Sequence, residues 1–238
     1  MELSVIIPTL NEEKYLQNTL ECLRKQTFDD FELIIVDGNS KDKTREIAKE
    51  YTDRVFVLNE RGVPRARNYG VSKARGKIVV HTDADCTMPP TWLERIHSDF
   101  KKNKVDMVWG PVYFSAGAMS PIARFTNELY WDVQKSTWKL IPYPYNPNLA
   151  FLRKAFDKIG GYRPGINFMD DYDIGFRASK KIKSYFDKNL VVFFSPRRFK
   201  DNRVFFDVAL KCMRSLVEYH LSDKISEKFV PINEADKK

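Results

Sequence analysis

The chain has 238 residues, 43% hydrophobic and 30% charged, a balance that excludes a disordered or fibrous chain and gives ample length for a buried core. No stretch of 18 or more apolar residues occurs, so no bilayer-spanning helix is predicted. The 40 Lys and Arg against 32 Asp and Glu leave a formal charge of +8, which suits nucleic acid, an anionic membrane surface or a phosphorylated substrate.

In chain order, an apolar strand over residues 3–7 precedes a helix over 12–26 with Tyr15, Leu16, Leu20 and Leu23 on one face. A second strand over 31–36 is followed by a helix over 41–51, with Ser40 as its expected N-cap. A third strand, 55–58, leads to a helix over 64–74 that starts on a proline. The fourth strand, 78–81, ends in a proline-closed loop before a helix over 91–100. Four strand–helix units in about 100 residues predict an α/β fold with a mostly parallel sheet and helices on both faces.

The second half is less regular. Residues 105–114 read as one strand and 121–138 as an aromatic-rich helix, and Pro142, Pro144 and Pro147 mark a stiff loop. A strand over 149–152, a short helix over 154–159 stopped by Gly160-Gly161, a helix over 170–181 and a last strand over 190–194 follow. Over 203–221, Asp207, Lys211, Arg214 and Glu218 recur at helical spacing, which leaves a broad apolar face that includes Phe205, Val208, Cys212, Leu216 and Val217. This C-terminal amphipathic helix is expected to pack on its own domain; the alternative is that part of it lies on a membrane interface.

The most informative string is Thr82-Asp83-Ala84-Asp85, directly after the fourth strand. The carboxyl edge of such a sheet is where open α/β folds place ligands. Two acids this close repel unless a cation or proton shares the site. Mg²⁺ fits, because it takes one or two carboxylates and completes its shell with water and substrate phosphate. Alone, the triplet is as well explained by one Asp capping the turn and the other facing water.

Other loops reach the same edge: Pro8-Thr9-Leu10-Asn11-Glu12 after the first strand, Asp37-Gly38-Asn39-Ser40 after the second, and Ala66-Arg67-Asn68-Tyr69-Gly70 before the fourth. Together these strings resemble glycosyltransferase family 2, and the resemblance extends from residue 3 to about 196. It implies a GT-A-like, Rossmann-type domain over 1–200, with a nucleotide-sugar half over about 1–110 and an acceptor half over 111–200. Residues 201–238 are then the C-terminal helix and tail. It further implies an inverting enzyme with a nucleotide-sugar donor and Mg²⁺ or Mn²⁺ as cofactor. Pro8, Thr9, Asn11 and Glu12 would line the nucleoside pocket, Asp37 would accept from base or ribose, and Arg67 would lie near base or diphosphate. Asp83, with Ala84 beside it, would meet ribose or metal, and Asp85 the metal. Each of these residues taken singly has a plainer reading: Asp37 as a turn residue, Glu12 as a first-turn acid, Arg67 as a surface cation.

Met169-Asp170-Asp171-Tyr172-Asp173 resembles the family stretch that carries the general base, with Asp170 where a Glu is usual. Matching residue by residue puts the base at Asp171, with Asp170 as the alternative. Ser195-Pro196-Arg197-Arg198 resembles a string near the active-site mouth, so Asp173, Arg197 and Arg198 are candidates for the acceptor or diphosphate. A saccharide or lipid-phosphate acceptor is expected, with a UDP-sugar favoured as donor. The alternative is transfer from GDP-mannose to a polyprenyl phosphate. The basic clusters are neither long nor interleaved with aromatics, so no nucleic-acid partner is expected. A non-catalytic nucleotide or nucleic-acid binding module remains the rival class, and it leaves the acids at three loop ends unexplained. Three scattered cysteines argue for a reducing compartment and against a zinc site, and the N-terminus lacks a signal-peptide pattern. The expected location is cytoplasmic, with peripheral contact on an anionic cytoplasmic membrane face as the alternative that the basic charge and last helix leave open.

Overall fold

The computed structural model describes residues 1–115, 131–138, 142–166, 168–195, 197 and 202–222. The first half alternates as its periodicity predicts: β1 (Leu3–Thr9), α1 (Leu16–Arg24), β2 (Phe31–Asp37), α2 (Thr44–Lys49), β3 (Val55–Val57), α3 (Val63–Lys73) and β4 (Ile78–His81). After β4 come β5 (Cys86–Thr87), α4 (Trp92–Asn103), β6 (Met107–Trp109), β7 (Val112–Phe114) and a helix over 131–137, α5. A single 3₁₀ turn, Asn146–Asn148, then leads into β8 (Leu149–Leu152), α6 (Arg153–Ile159), α7 (Asp170–Lys181), β9 (Ser184–Phe186), β10 (Val192–Phe194) and α8 (Asn202–Ser222).

A seven-stranded sheet runs in the order β3-β2-β1-β4-β8-β6-β9. β3, β2, β1 and β4 are parallel, β8 is antiparallel to both neighbours, and β9 is parallel to β6. Strand order reverses between β1 and β4, which opens a crevice at their carboxyl ends. A three-stranded sheet, β5-β10-β7, flanks it.

Alternation along β1 explains the layers. Val5 and Ile7 join a core with Leu16, Leu20 and Leu23 of α1 and Trp92, Ile96 and Phe100 of α4. Ile6 points into the other core, with Ala66 and Val71 of α3, Phe156 of α6 and Ile174 of α7. Buried on both faces, β1 is apolar at Leu3 and from Val5 to Pro8, and its buried Ser4 hydroxyl is satisfied by Glu32. Gly70 lets α3 lie against the sheet, since a Cβ there would stand 2.5 Å from Ile6 Cγ2. On the far side, Arg95 of α4 binds Asp187 after β9 (Nη1–Oδ2 3.0 Å), with Asp99 buried beside the pair.

The structure departs from the sequence reading in local detail. Ser40 does not cap α2, which starts after Lys43; its hydroxyl is bonded to Asp37 instead. The expected strand 105–114 is two strands in two sheets, broken at Gly110-Pro111, where a Cβ on residue 110 would meet the Leu190 carbonyl. β5 and β9 were not expected, being two and three residues long. Of the helix expected over 121–138, residues 121–130 lie outside the described residues and 131–137 are helical. Among the described residues no helix is long and apolar enough to cross a membrane.

Candidate functional site

The carboxyl ends of β1, β2 and β4 carry the predicted loops, and the first two are fastened together before any ligand is considered. Asp37 is fully buried at the end of β2. Its carboxylate accepts from the Thr9 hydroxyl (3.1 Å), the Ser40 amide (2.8 Å) and the Ser40 hydroxyl (2.5 Å). Asn11 and Asn39 sit at φ 55° and 68°, a left-handed conformation that asparagine tolerates. From there the Asn11 amide donates to Ser40 Oγ (2.8 Å), Lys41 N donates to Asn11 Oδ1 (2.8 Å), and Glu12 N donates to Thr44 Oγ1 (2.7 Å). Pro8 lies opposite Val36 and Thr9 opposite Asp37 in the ladder.

Across the crevice, β4 ends at His81 and delivers Asp83, Ala84 and Asp85. The Ala84 carbonyl is held by the Thr19 hydroxyl of α1 at 2.8 Å, and Ser195 N donates to the Asp85 carbonyl at 3.1 Å. The loop is thereby tied to α1 on one side and to the end of β10 on the other.

Two guanidiniums organise the acids. Arg67 of α3, buried to 2% exposure, reaches Asp83 (Nη2–Oδ1 2.7 Å) and Asp170 (Nη1–Oδ2 2.8 Å), with the Tyr162 ring 5.5 Å from its Cζ. Burial alone would lower its pKa, but Asp83 and Asp170 outweigh that and push it up. Arg197, after β10, reaches Glu12 (Nη2–Oε1 2.7 Å) and Asp85 (Nε–Oδ2 3.0 Å) and stacks over Tyr15 at 4.3 Å. Burial raises the Glu12 pKa against the pull of Arg197.

α7 starts at Asp170 from Met169, which adopts the left-handed conformation (φ 57°). Asn146 donates to Asp170 (3.0 Å) and accepts from the Tyr162 hydroxyl (2.7 Å). Antiparallel β8 makes this possible, because its first residue, Leu149, pairs with His81 at the end of β4. Asp171 accepts from its neighbour's amide, Tyr172 N, at 3.0 Å. Burial, then the adjacent Asp170, raise Asp171 to about 8. Asp170 is also raised by burial, with Arg67 pulling it back. Of the two, Asp170 is the one gripped by the Arg67 guanidinium, and burial beside it favours the protonated form of Asp171.

Of the predicted residues, Glu12, Arg67, Asp83, Asp85, Asp170 and Arg197 come together in two arginine-centred clusters, and Asp171 adjoins Asp170. Asp173 does not join them. It is 1% exposed, with Oδ2 bonded to Arg177 (2.5 Å) and Oδ1 to the Tyr219 hydroxyl of α8 (2.8 Å). Arg198 lies outside the described residues. Tyr15, Asn146 and Tyr162 had no role assigned from sequence. Gly161-Tyr162, just past a helix stop, was the nearest signal, and the Pro144–Pro147 string gave none for Asn146.

Asp83 and Asp85 suit a divalent cation of the Mg²⁺ or Mn²⁺ type. Each already holds a guanidinium, so the positions attract positive charge. Among the described residues no group of three His, Cys, Asp or Glu side chains is placed to hold a metal ion.

The family model described as "Glycosyl transferase family 2" matches residues 4–171. An uncharacterized glycosyltransferase of Methanocaldococcus jannaschii is 36% identical over 186 residues, covering 74% of this chain and 63% of the relative. Among solved structures, the S. aureus TarS 1-349 complex with UDP superposes with a TM-score of 0.68 at 20% identity, covering 87% of this chain and 63% of that one. The mannosyltransferase PcManGT of Pyrobaculum calidifontis, solved with GDP-Man and Mn²⁺, gives 0.71 at 20% identity, covering 97% and 66%. The chain spans 17% to 63% of the length of three curated relatives it matches. With a matching sequence model across most of its length and the α/β architecture shared with these structures, the chain belongs to glycosyl transferase family 2.

Proposed function

We propose that the protein is a metal-dependent, inverting glycosyltransferase that moves a sugar from a nucleotide-sugar to a saccharide or lipid-linked acceptor. The observation that carries this is the gathering of Glu12, Asp83, Asp85, Asp170 and Asp171, from three separate chain segments, around one sheet edge with Arg67 and Arg197 between them. A fold needing only stability has no reason to concentrate five acids at a strand-order reversal. On this reading the donor half, about 1–110, binds the nucleotide against Pro8, Thr9, Asn11, Glu12 and Asp37. The acceptor half, 111–200, brings the acceptor to Asp171.

The acceptor hydroxyl attacks the anomeric carbon opposite the departing nucleoside diphosphate, and a single displacement inverts that centre. Asp171 takes the hydroxyl proton as the new bond forms. Asp170 pairs with Arg67 and so ties the start of α7 to the residue that also holds Asp83. Asp85 and Asp83 hold the metal, which when bound neutralises charge on the leaving diphosphate. A lipid-phosphate acceptor arrives already ionised, and Asp171 then orients it rather than deprotonating it.

A UDP-sugar is the favoured donor, supported by the UDP complex of the S. aureus neighbour. GDP-mannose is the second reading, supported by the Pyrobaculum neighbour, whose match runs over 97% of this chain. Calorimetric titration with UDP and GDP, each with and without Mn²⁺, separates them. We expect metal-dependent binding of one nucleotide and its loss in Asp85→Ala. Binding of neither under any metal condition overturns the donor site.

A further inference from the structure

Arg197 holds Asp85, the carboxylate assigned above to the metal. Its Nε is 3.0 Å from Asp85 Oδ2, and its Nη2 is 2.7 Å from Glu12 Oε1. The side chain is 12% exposed, lies over Tyr15, and starts two residues beyond Ser195, whose amide is fixed to the Asp85 carbonyl. The second Glu12 oxygen, Oε2, is buried with no hydrogen-bond partner. The guanidinium thus bridges the β1 and β4 sides of the crevice and leaves one anionic oxygen uncompensated.

A divalent ion binding Asp85 Oδ2 would meet the Arg197 guanidinium already held on that oxygen and would have to share its negative charge. Like charges also oppose joint occupancy in a site this enclosed. A nucleoside diphosphate changes the balance, because its oxygens offer the arginine a bidentate anionic partner outside the Asp85–Glu12 pair. We propose that Arg197 is a resident cation that closes the metal site of the free protein, and that a divalent ion enters only together with the diphosphate onto which Arg197 transfers. The inference rests on the donor-site reading above and adds an obligatory coupling between metal and nucleotide. Glu12 gains a role that sequence position alone does not suggest: it parks the arginine.

The test measures Mn²⁺ binding by electron paramagnetic resonance, with and without the nucleoside diphosphate that binds, on full-length protein and on Arg197→Gln and Arg197→Lys. Wild type should bind Mn²⁺ weakly alone and at least about ten-fold more tightly with nucleotide, the range of an ordinary coupling between sites. Arg197→Gln, which keeps hydrogen-bonding capacity and loses the charge, should bind Mn²⁺ alone at least about ten-fold more tightly than wild type, with most of the coupling gone. Arg197→Lys keeps a charge at the site and should resemble wild type, which also controls for folding. If wild type shows the coupling and Arg197→Gln leaves the affinity for Mn²⁺ alone unchanged, the parked-arginine model is wrong while the donor site stands. If no form binds Mn²⁺ with any nucleotide, both fall together.

Discussion

Arg67 holds carboxylates from opposite sides of the cleft, one 16 and the other 103 residues away in sequence. Removing it strands Asp83 and Asp170 in a partly desolvated site. Arg67→Gln should cost about 3 kcal/mol, the lower end for breaking a buried ion pair, read as a fall in the unfolding midpoint. Arg67→Lys should not restore it, because one ammonium cannot reach both acids in the same geometry. On the proposed mechanism, Asp171 carries the pH dependence. A base works deprotonated, so with its pKa near 8 the kcat/KM should climb as pH rises through that value. Asp171→Asn should lose about 10²–10⁴-fold in rate, together with this limb of the profile, when assayed from pH 6 to 10. The positions of these acids were legible in the sequence because each follows a strand end or opens a helix. Their partners were not: Arg197 meets Glu12 across 185 residues, and nothing local to either residue encodes that meeting.

At the level of elements, α7 carries the proposed base, and its seat is close. A Cβ on Gly175 would stand 2.4 Å from Pro144 Cδ and 2.5 Å from the Pro142 carbonyl. Gly175→Ala therefore has to push the helix off the 142–144 segment, at a cost of about 1–3 kcal/mol. Because Asp170 and Asp171 ride on the first turn, kcat should fall by about ten- to a hundred-fold. Nucleotide affinity, which the proposed donor site places at the ends of β1, β2 and β4, should stay within about two-fold. Single-turnover kinetics beside nucleotide titration separates the two, and a parallel loss of both would contradict this division of labour. The helix itself was readable end to end from Asp170 to Lys181, since its acids lead and its lysines trail. By contrast, β9 is three residues, Ser-Tyr-Phe, and only pairing with β6 makes it a strand. The 105–114 run was read as one strand because its apolar residues continue, while the switch of sheets at Gly110-Pro111 is a matter of tertiary packing.

For the molecule as a whole, stability should depend on pH through a site far from the chemistry. Asp99, buried beside Asp187, is raised to about 7, by burial first and by its neighbour second. Between the ordinary carboxyl value and 7 the folded state keeps a proton that the unfolded chain has shed. The stability tied to that proton is complete below the ordinary value, falls as pH rises, and is gone above about 7. Asp99→Asn should abolish this slope, raising stability at pH 8 by on the order of 2 kcal/mol and leaving it nearly unchanged at pH 4, as denaturant titrations at both pH values would show. The global architecture was the most legible feature of the chain, because strands buried on both faces are mostly apolar runs and the helices between them are amphipathic. The antiparallel insertion of β8 between β4 and β6 left no such mark, yet it is what carries Asn146 to Asp170.

The cross-bonded loops after β1 and β2 have a thermodynamic consequence. The amides of Asn11, Glu12, Ser40 and Lys41 are already bonded to Ser40, Thr44, Asp37 and Asn11. A nucleotide docking there orders no backbone, and the entropy lost on binding is mainly its own. Amide exchange in residues 9–12 and 37–44 should accordingly be slow before the ligand arrives and change little afterwards.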